Sequence, residues 1–109
     1  MNEDGKRVKD HILRNWDFRL YFGACAPVRY GTDVYSQGIR MLCDSSEDFQ
    51  RETSECARRF YAGDFGEFYD WDERPIPGHE KGWYPTEWGD VYVERDRYGL
   101  VTMCMFYER

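Results

Sequence analysis

Apolar residues recurring at three- and four-residue steps predict two amphipathic helices. The first is predicted from Asp4 to Phe22, before the natural terminator Gly23. Its apolar face comprises Val8, Ile12, Leu13, Trp16 and Leu20. The opposite face is basic but mixed with acids, which is more typical of a solvated helix surface than of a nucleic-acid contact.

The second helix is predicted within residues 43–63. Ser45, followed three residues later by Asp48, resembles a capping box, and Gly63 supplies a stop. The apolar stripe of this helix consists of Phe49, Thr53, Cys56, Ala57 and Phe60. This spacing predicts that Cys56 packs against a sheet and has no redox role.

Three further stretches favour β-structure. Residues 32–42 are interpreted as a first strand with a bulge at Gly38, and residues 64–72 as a second strand because their side chains alternate. The C-terminal part predicts a hairpin, in which Val91–Val93 and residues 100–107 flank a turn at residues 94–99. Because the last strand is apolar on both faces, we expect it to be central or covered on both sides.

These elements predict a single α+β domain spanning residues 1–109, with two helices packed on one face of a small, mostly antiparallel sheet of about four strands. The connection from residue 73 to 88 contains Pro75, Pro77, Gly78 and Gly82 and is predicted to be irregular. A connection of that length in so small a domain is often functional.

Charge is distributed unevenly along the chain. The net charge is -6, and residues 64–96 hold ten acidic and three basic side chains, a local net charge of -7. The remainder is nearly neutral. Because binding to a phosphate backbone needs clustered Lys and Arg, direct nucleic-acid binding is not expected, whereas a basic protein partner is.

The cysteines and the N-terminal sequence indicate a cytoplasmic protein. No apolar run approaches the length of a membrane span, and the first residues lack the apolar core of a signal peptide. The four cysteines are therefore expected to be reduced thiols packed as small apolar groups. They lack the short paired spacing of a zinc site, and no metal or cofactor is predicted. The four are Cys25, Cys43, Cys56 and Cys104.

No catalytic motif is evident. Asp70 with Asp72, or Glu67 with Asp70, could serve acid–base or metal chemistry if the fold placed them in a cleft. So many acids lie nearby that chance adjacency explains any pair, and a solvated acidic face is the simpler interpretation. Cys25 or Cys43 could likewise form a nucleophilic pair with His79 if the fold brought them together, but packed thiols and a loop histidine are the simpler interpretation. We therefore expect a protein that is not an enzyme.

The aromatic residues of the acidic segment divide into core and surface candidates. Four are predicted to lie in the core under the second helix: Phe65, Phe68, Trp71 and Trp88. Trp83 and Tyr84, which lie among proline, glycine and acids, have the composition of an interface centre with a charged rim. The predicted partner-binding residues are the carboxylates Glu67, Asp70, Asp72, Glu73 and Glu80 with the anchors Trp83 and Tyr84.

Several short motifs in this order also suggest a relationship. They are the T-x-V-x-x-x-G-I stretch from Thr32 to Ile39, the letters DFGEF from Asp64, and the terminal VTMCMFYER. This plan resembles a family of small accessory proteins encoded on plasmids, phages and integrated elements of bacteria. In size, acidity and aromatic content the chain is also similar to anti-CRISPR proteins, particularly inhibitors of type II CRISPR nucleases.

The resemblance implies a non-enzymatic anti-defence protein that binds and inhibits a basic, nucleic-acid-binding host nuclease such as a type II CRISPR effector. It assigns no role to an individual residue. The alternative is an antitoxin or DNA-associated regulator of a mobile element, which would touch DNA through Lys6, Lys9, Arg14 and Arg19. The oligomeric state is left open.

Overall fold

A computed structural model describes residues 1–23, 31–70 and 74–109. In these ranges the helices are α1 (Glu3–Asn15), α2 (Gln37–Ser45) and α3 (Glu47–Tyr61). The strands are β1 (Leu20–Phe22), β2 (Val34–Ser36), β3 (Lys81–Tyr84), β4 (Val91–Arg95) and β5 (Val101–Met105), and a 3₁₀ turn follows at Phe106–Glu108. None of the helices described is long and apolar enough to cross a membrane.

The predicted α+β class is confirmed. The strands form one sheet in the order β1-β2-β5-β4-β3, in which β2 and β5 are parallel and the other neighbouring pairs antiparallel. The predicted hairpin corresponds to β4 and β5, and the apolar last strand β5 is central, as expected for a strand buried on both faces. Three helices, rather than the two predicted, pack on this sheet.

The core lies between the helices and one face of the sheet. Strand alternation directs Val91 and Val93 of β4, and Met103 of β5, toward the helices. The α3 stripe meets them, and all five residues predicted for it are buried. Trp88 stacks on Phe49 with ring centroids 5.3 Å apart, which confirms its predicted place in the core.

The first helix ends earlier than predicted. Trp16 adopts a left-handed conformation with φ 52°, and its backbone N–H bonds to Ile12 O, which terminates α1 seven residues before Gly23. The chain then extends into β1. Trp16 and Leu20 consequently leave the helix and are exposed, and Leu13 is exposed within it, so the predicted burial of all three is wrong.

The first predicted strand is mostly helical. Only Val34–Ser36 is extended, and α2 begins at residue 37 because the Ser36 hydroxyl caps it by accepting a hydrogen bond from Ile39 N. Ile39 and Leu42 then form a buried helical stripe, and Gly38 belongs to the first turn of this helix, with no β-bulge. The hydrophobic pattern at three-residue spacing is helical.

The strand predicted at residues 64–72 is wrong over its described part, residues 64–70. Residues 67–69 form turns, and Gly66 contributes a single bridge to Trp83. Phe65 packs on Phe60 at 5.5 Å, whereas Phe68 contacts Tyr92 on the sheet face that points away from the helices. Trp71 lies outside the described residues.

Candidate functional site

The two predicted aromatic anchors occupy a regular strand that the sequence predicted to be irregular. Trp83 and Tyr84 are consecutive in β3, so strand alternation sends their side chains to opposite faces of the sheet. Trp83 pairs with Tyr92 and lies half-buried on the outer face, where its indole N–H donates to the Asp90 carboxylate at 2.8 Å.

Tyr84 belongs to the core instead of the surface. It pairs with Val91 on the helix-facing side and is 1% exposed. Its hydroxyl donates to Asp64 O at 2.7 Å, and burial raises the pKa of this phenol. Tyr84 therefore stabilises the fold and does not present a surface to a partner.

The predicted carboxylates differ in how far they are neutralised. Glu80 lies 3.0 Å from Arg95 Nε and accepts a hydrogen bond from Gly78 N, so its charge is balanced within the chain. Glu67 and Asp70 are exposed and make no ion pair within the described ranges. Asp72 and Glu73 lie outside the residues that the structure describes.

Residues 65–69, named here the β3 cover, hold Glu67 beside the edge of β3, and Asp70 follows directly. Trp83 N donates to Phe65 O at 3.1 Å, and Glu67 N donates to Trp83 O at 2.9 Å. Lys81 N donates to the Tyr69 hydroxyl at 3.0 Å. At Gly66, φ is +62° and an added Cβ would lie 2.1 Å from Trp83 O, so only glycine fits this close approach. The cover therefore gives Glu67 a fixed backbone position.

Most arginines in the described ranges are already paired with carboxylates. Eight of them lie within 4.0 Å of a carboxylate oxygen: Arg7, Arg14, Arg19, Arg40, Arg51, Arg58, Arg59 and Arg95. These pairs are mostly exposed and contribute little stability each. Their consequence is electrostatic, since they leave the excess acids as the unbalanced charge of the surface.

Two of the four side chains predicted to contact DNA, Arg14 and Arg19, are among the paired ones. Arg14 lies 3.2 Å from Asp10, and Arg19 lies 2.6 Å from Asp17. Arg19 is also beyond the end of α1, so it does not share a helix face with Lys6 and Lys9. The hydrogen bonds from Arg19 lower the pKa of the Asp17 carboxyl from 3.8 to about 2, and His11 adds to the effect.

An exposed apolar row was not predicted. Trp16, Phe18, Leu20 and Phe22, named here the β1 row, are exposed at every second position leading into and along β1. Trp16 and Phe18 contact each other edge to face at 5.9 Å. Their alternation with Asp17, Arg19 and Tyr21 is a period-two pattern that could have indicated an extended segment.

The described surface also has a concave region. A groove of about 680 Å³ lies between α3 and the β3–β4 connection, with Asp48, Glu52, Glu87 and Trp88 in its lining. Within residues 1–23, 31–70 and 74–109 there is no group of three His, Cys, Asp or Glu side chains arranged to hold a metal ion.

The described residues thus present an acidic surface beside β3 and an apolar row beside β1. Comparisons with protein-family models, with curated proteins and with solved structures found no match. Function must therefore be inferred from these surfaces.

Proposed function

We propose that this protein binds a basic partner protein through the carboxylates beside β3 and acts without catalysis. The observation that carries the proposal is the contrast in pairing. Arginines of the described ranges are largely engaged by nearby carboxylates, while Glu67 and Asp70 are exposed without an ion pair there. Free carboxylates on a negatively charged molecule steer it toward Lys- and Arg-rich surfaces.

The rigid support of this surface favours binding over simple solvation. The β3 cover is fastened to β3 by backbone hydrogen bonds, so presenting Glu67 to a partner needs little further ordering. Trp83, whose backbone carbonyl accepts from Glu67 N, lies half-buried with its ring on Phe106 at 5.3 Å. An aromatic residue within a charged rim is typical of interface centres.

The resemblance to anti-CRISPR proteins suggests what the partner is. A groove that holds nucleic acid is lined by Lys and Arg, and an acidic protein of this size can occupy such a groove in place of the phosphates. We therefore propose that the protein inhibits a basic host nuclease, of the type II CRISPR class, as an anti-defence function of a mobile element.

The test combines capture of a purified type II CRISPR nuclease with a DNA-cleavage assay. The double variant Glu67→Lys/Asp70→Lys should lose binding and inhibition, because both changes replace attraction by repulsion. Asp44→Lys/Glu47→Lys is the control, since it makes the same change in net charge at exposed carboxylates of α2 and α3. Equal inhibition by the double variant and the wild-type protein would rule out the proposed surface.

The antitoxin or DNA-regulator alternative has less support. Of its four basic side chains, Arg14 and Arg19 are engaged by Asp10 and Asp17, which leaves Lys6 and Lys9. So few free cations would bind DNA weakly and with a shallow salt dependence. Tight DNA binding by the isolated protein that weakens steeply with salt would favour this alternative over nuclease inhibition.

A further inference from the structure

The two edge strands of the sheet differ in whether their outward backbone groups are hydrogen-bonded. At β3 the outward edge is occupied by the β3 cover, through the hydrogen bonds of Trp83 N and Trp83 O. At β1 the backbone bonds toward β2 run through Arg19 O and Gly23 N, with Tyr21 opposite Tyr35. Strand alternation then directs the N–H and C=O groups of Leu20 and Phe22 outward, and no backbone partner for them lies within the described ranges.

The side chains at this open edge are apolar as well. Trp16 and Phe22 are each 80% exposed, Leu20 is 54% exposed and Phe18 is 40% exposed. Because a large aromatic side chain offers ~150–250 Å² of contact area, these fractions amount to about 500 Å² of apolar surface. Exposed edge strands of monomers are usually blunted by charge, proline or a covering segment. Leu20 and Phe22 are neither charged nor proline, and no segment of the described ranges bonds to their outward backbone groups.

We propose that β1 pairs with β1 of a second copy of this chain, joining two sheets into one around a two-fold axis. The register that matches the exposed apolar side chains places Leu20 opposite Leu20 of the second copy and Phe18 opposite Phe22. The outward groups of Leu20 then bond to each other across the axis. Phe22 N of one copy donates to Phe18 O of the other copy. Phe18 O is available because the turn bond of this segment uses Phe18 N and Trp16 O.

The area and the charges both fit a second copy. Two β1 rows together present about 1,000 Å² of apolar surface, which is the minimum expected of a specific interface before any flanking contact is added. In this register two Arg19 side chains lie diagonally across the axis. Asp17 neutralises each of them through hydrogen bonds of 2.6 and 2.9 Å, so the pairing is not opposed by like charges.

The first test is the mass of the full-length protein in solution, measured by sedimentation or light scattering over a concentration series. The wild-type protein should be a dimer, and Leu20→Lys should be a monomer with an unchanged circular dichroism spectrum. Tyr98→Lys is the control because Tyr98 is 74% exposed in the turn between β4 and β5, and it should stay dimeric. A monomeric wild-type protein, or a dimeric Leu20→Lys variant, would overturn the proposal.

A second test fixes the register. In a hydrogen-bonded antiparallel pair the Cα atoms lie ~5.5 Å apart, which suits a disulfide. Oxidised Leu20→Cys should therefore form a covalent dimer, whereas Phe22→Cys should not, because its two copies lie about 14 Å apart along the strands. The wild-type chain under the same oxidation controls for the native cysteines. A covalent dimer from Phe22→Cys but not from Leu20→Cys would refute this register.

The dimer and the nuclease interaction can fail separately. The dimer uses Leu20 and its neighbours on β1. The nuclease interaction uses Glu67 and Asp70 beside β3, at the opposite edge of the sheet. Leu20→Lys is thus expected to remain an inhibitor, and Glu67→Lys/Asp70→Lys is expected to remain a dimer.

Discussion

At the start of α2 the side chain of Glu108 closes the C-terminal 3₁₀ turn onto the sheet and the helix. Its carboxylate accepts hydrogen bonds from the Ser36 hydroxyl at 2.6 Å, from Gly38 N at 3.0 Å and from Met105 N at 2.9 Å. Burial raises the pKa of Glu108, and the hydrogen bonds oppose that shift. A helix N-terminus also favours a negative charge, so this single side chain links α2, β2 and β5.

Gly38 is the residue on which this arrangement depends. A Cβ at this position would lie 2.4 Å from Glu108 Oε1, so Gly38→Ala must displace the carboxylate from its donors. We expect the free energy of unfolding to fall by about 1–3 kcal/mol, the cost of leaving buried donors unsatisfied. In a Glu108→Ala background the same change should instead be neutral or stabilising by up to ~1 kcal/mol, because alanine favours a helix more than glycine.

Urea unfolding of the wild-type protein, both single variants and the double variant completes this cycle. The expected signature is the change of sign between the two backgrounds. If the two single costs simply add in the double variant, Gly38 and Glu108 do not act through their contact.

At the scale of elements, two adjacent serines separate α2 from α3 and have different roles. Ser46 is extended with φ -148°, and its hydroxyl accepts from Phe49 N at 3.2 Å, so Ser46 caps α3. Ser45, the predicted cap, is the last residue of α2 and donates to Met41 O. The cap of α3 therefore lies one residue later than the capping-box pattern predicts.

Alanine substitution at the two serines should separate these roles. Ser46→Ala should lower the free energy of unfolding by about 1 kcal/mol, because a donor of the first turn of α3 loses its acceptor. Ser45→Ala should change it by less than about 0.5 kcal/mol, as is usual for an exposed position. Urea denaturation followed by circular dichroism measures both. A larger loss from Ser45→Ala would restore the predicted cap.

Elements with a long, regular apolar pattern could be predicted from the sequence. The buried stripe of α3 and the β4–β5 hairpin have such patterns, and both are confirmed. The short segment before Cys43 could not be assigned in the same way, because few apolar residues fit either period. In that segment the helix begins at residue 37 because Ser36 caps α2.

Features that depend on tertiary contacts could not be predicted. Residues 65–69 form the β3 cover instead of a strand because they bond to β3, which the sequence did not reveal as a strand. For the same reason Tyr84 was predicted to be exposed, since its direction follows from the register of β3 with β4. Trp16 ends α1 in a left-handed conformation that few residues other than glycine adopt.

At the scale of the whole molecule, the sheet separates two environments that contain cysteines. Cys43 and Cys56 belong to the core between the helices and the sheet. Cys104 pairs with Tyr92 on the outer face and lines a cavity of about 200 Å³ with Glu94, Thr102 and Arg109. Cysteines of the described ranges thus lie on both sides of the sheet, with Cys25 outside those ranges.

This separation predicts the order in which the thiols react with iodoacetamide. Burial raises the pKa of Cys56 and of Cys104 to about 12, so neither forms much thiolate near neutral pH in the folded protein. Cys104 needs only a local opening beside its cavity, whereas Cys56 needs α3 to leave the sheet. Cys104 should therefore be alkylated first, and alkylation of Cys56 should follow global unfolding in urea.

Peptide mapping by mass spectrometry after short pulses of iodoacetamide measures alkylation at each site, with fully denatured protein as the control. Equal rates at the two sites without denaturant would show that the two faces of the sheet open together.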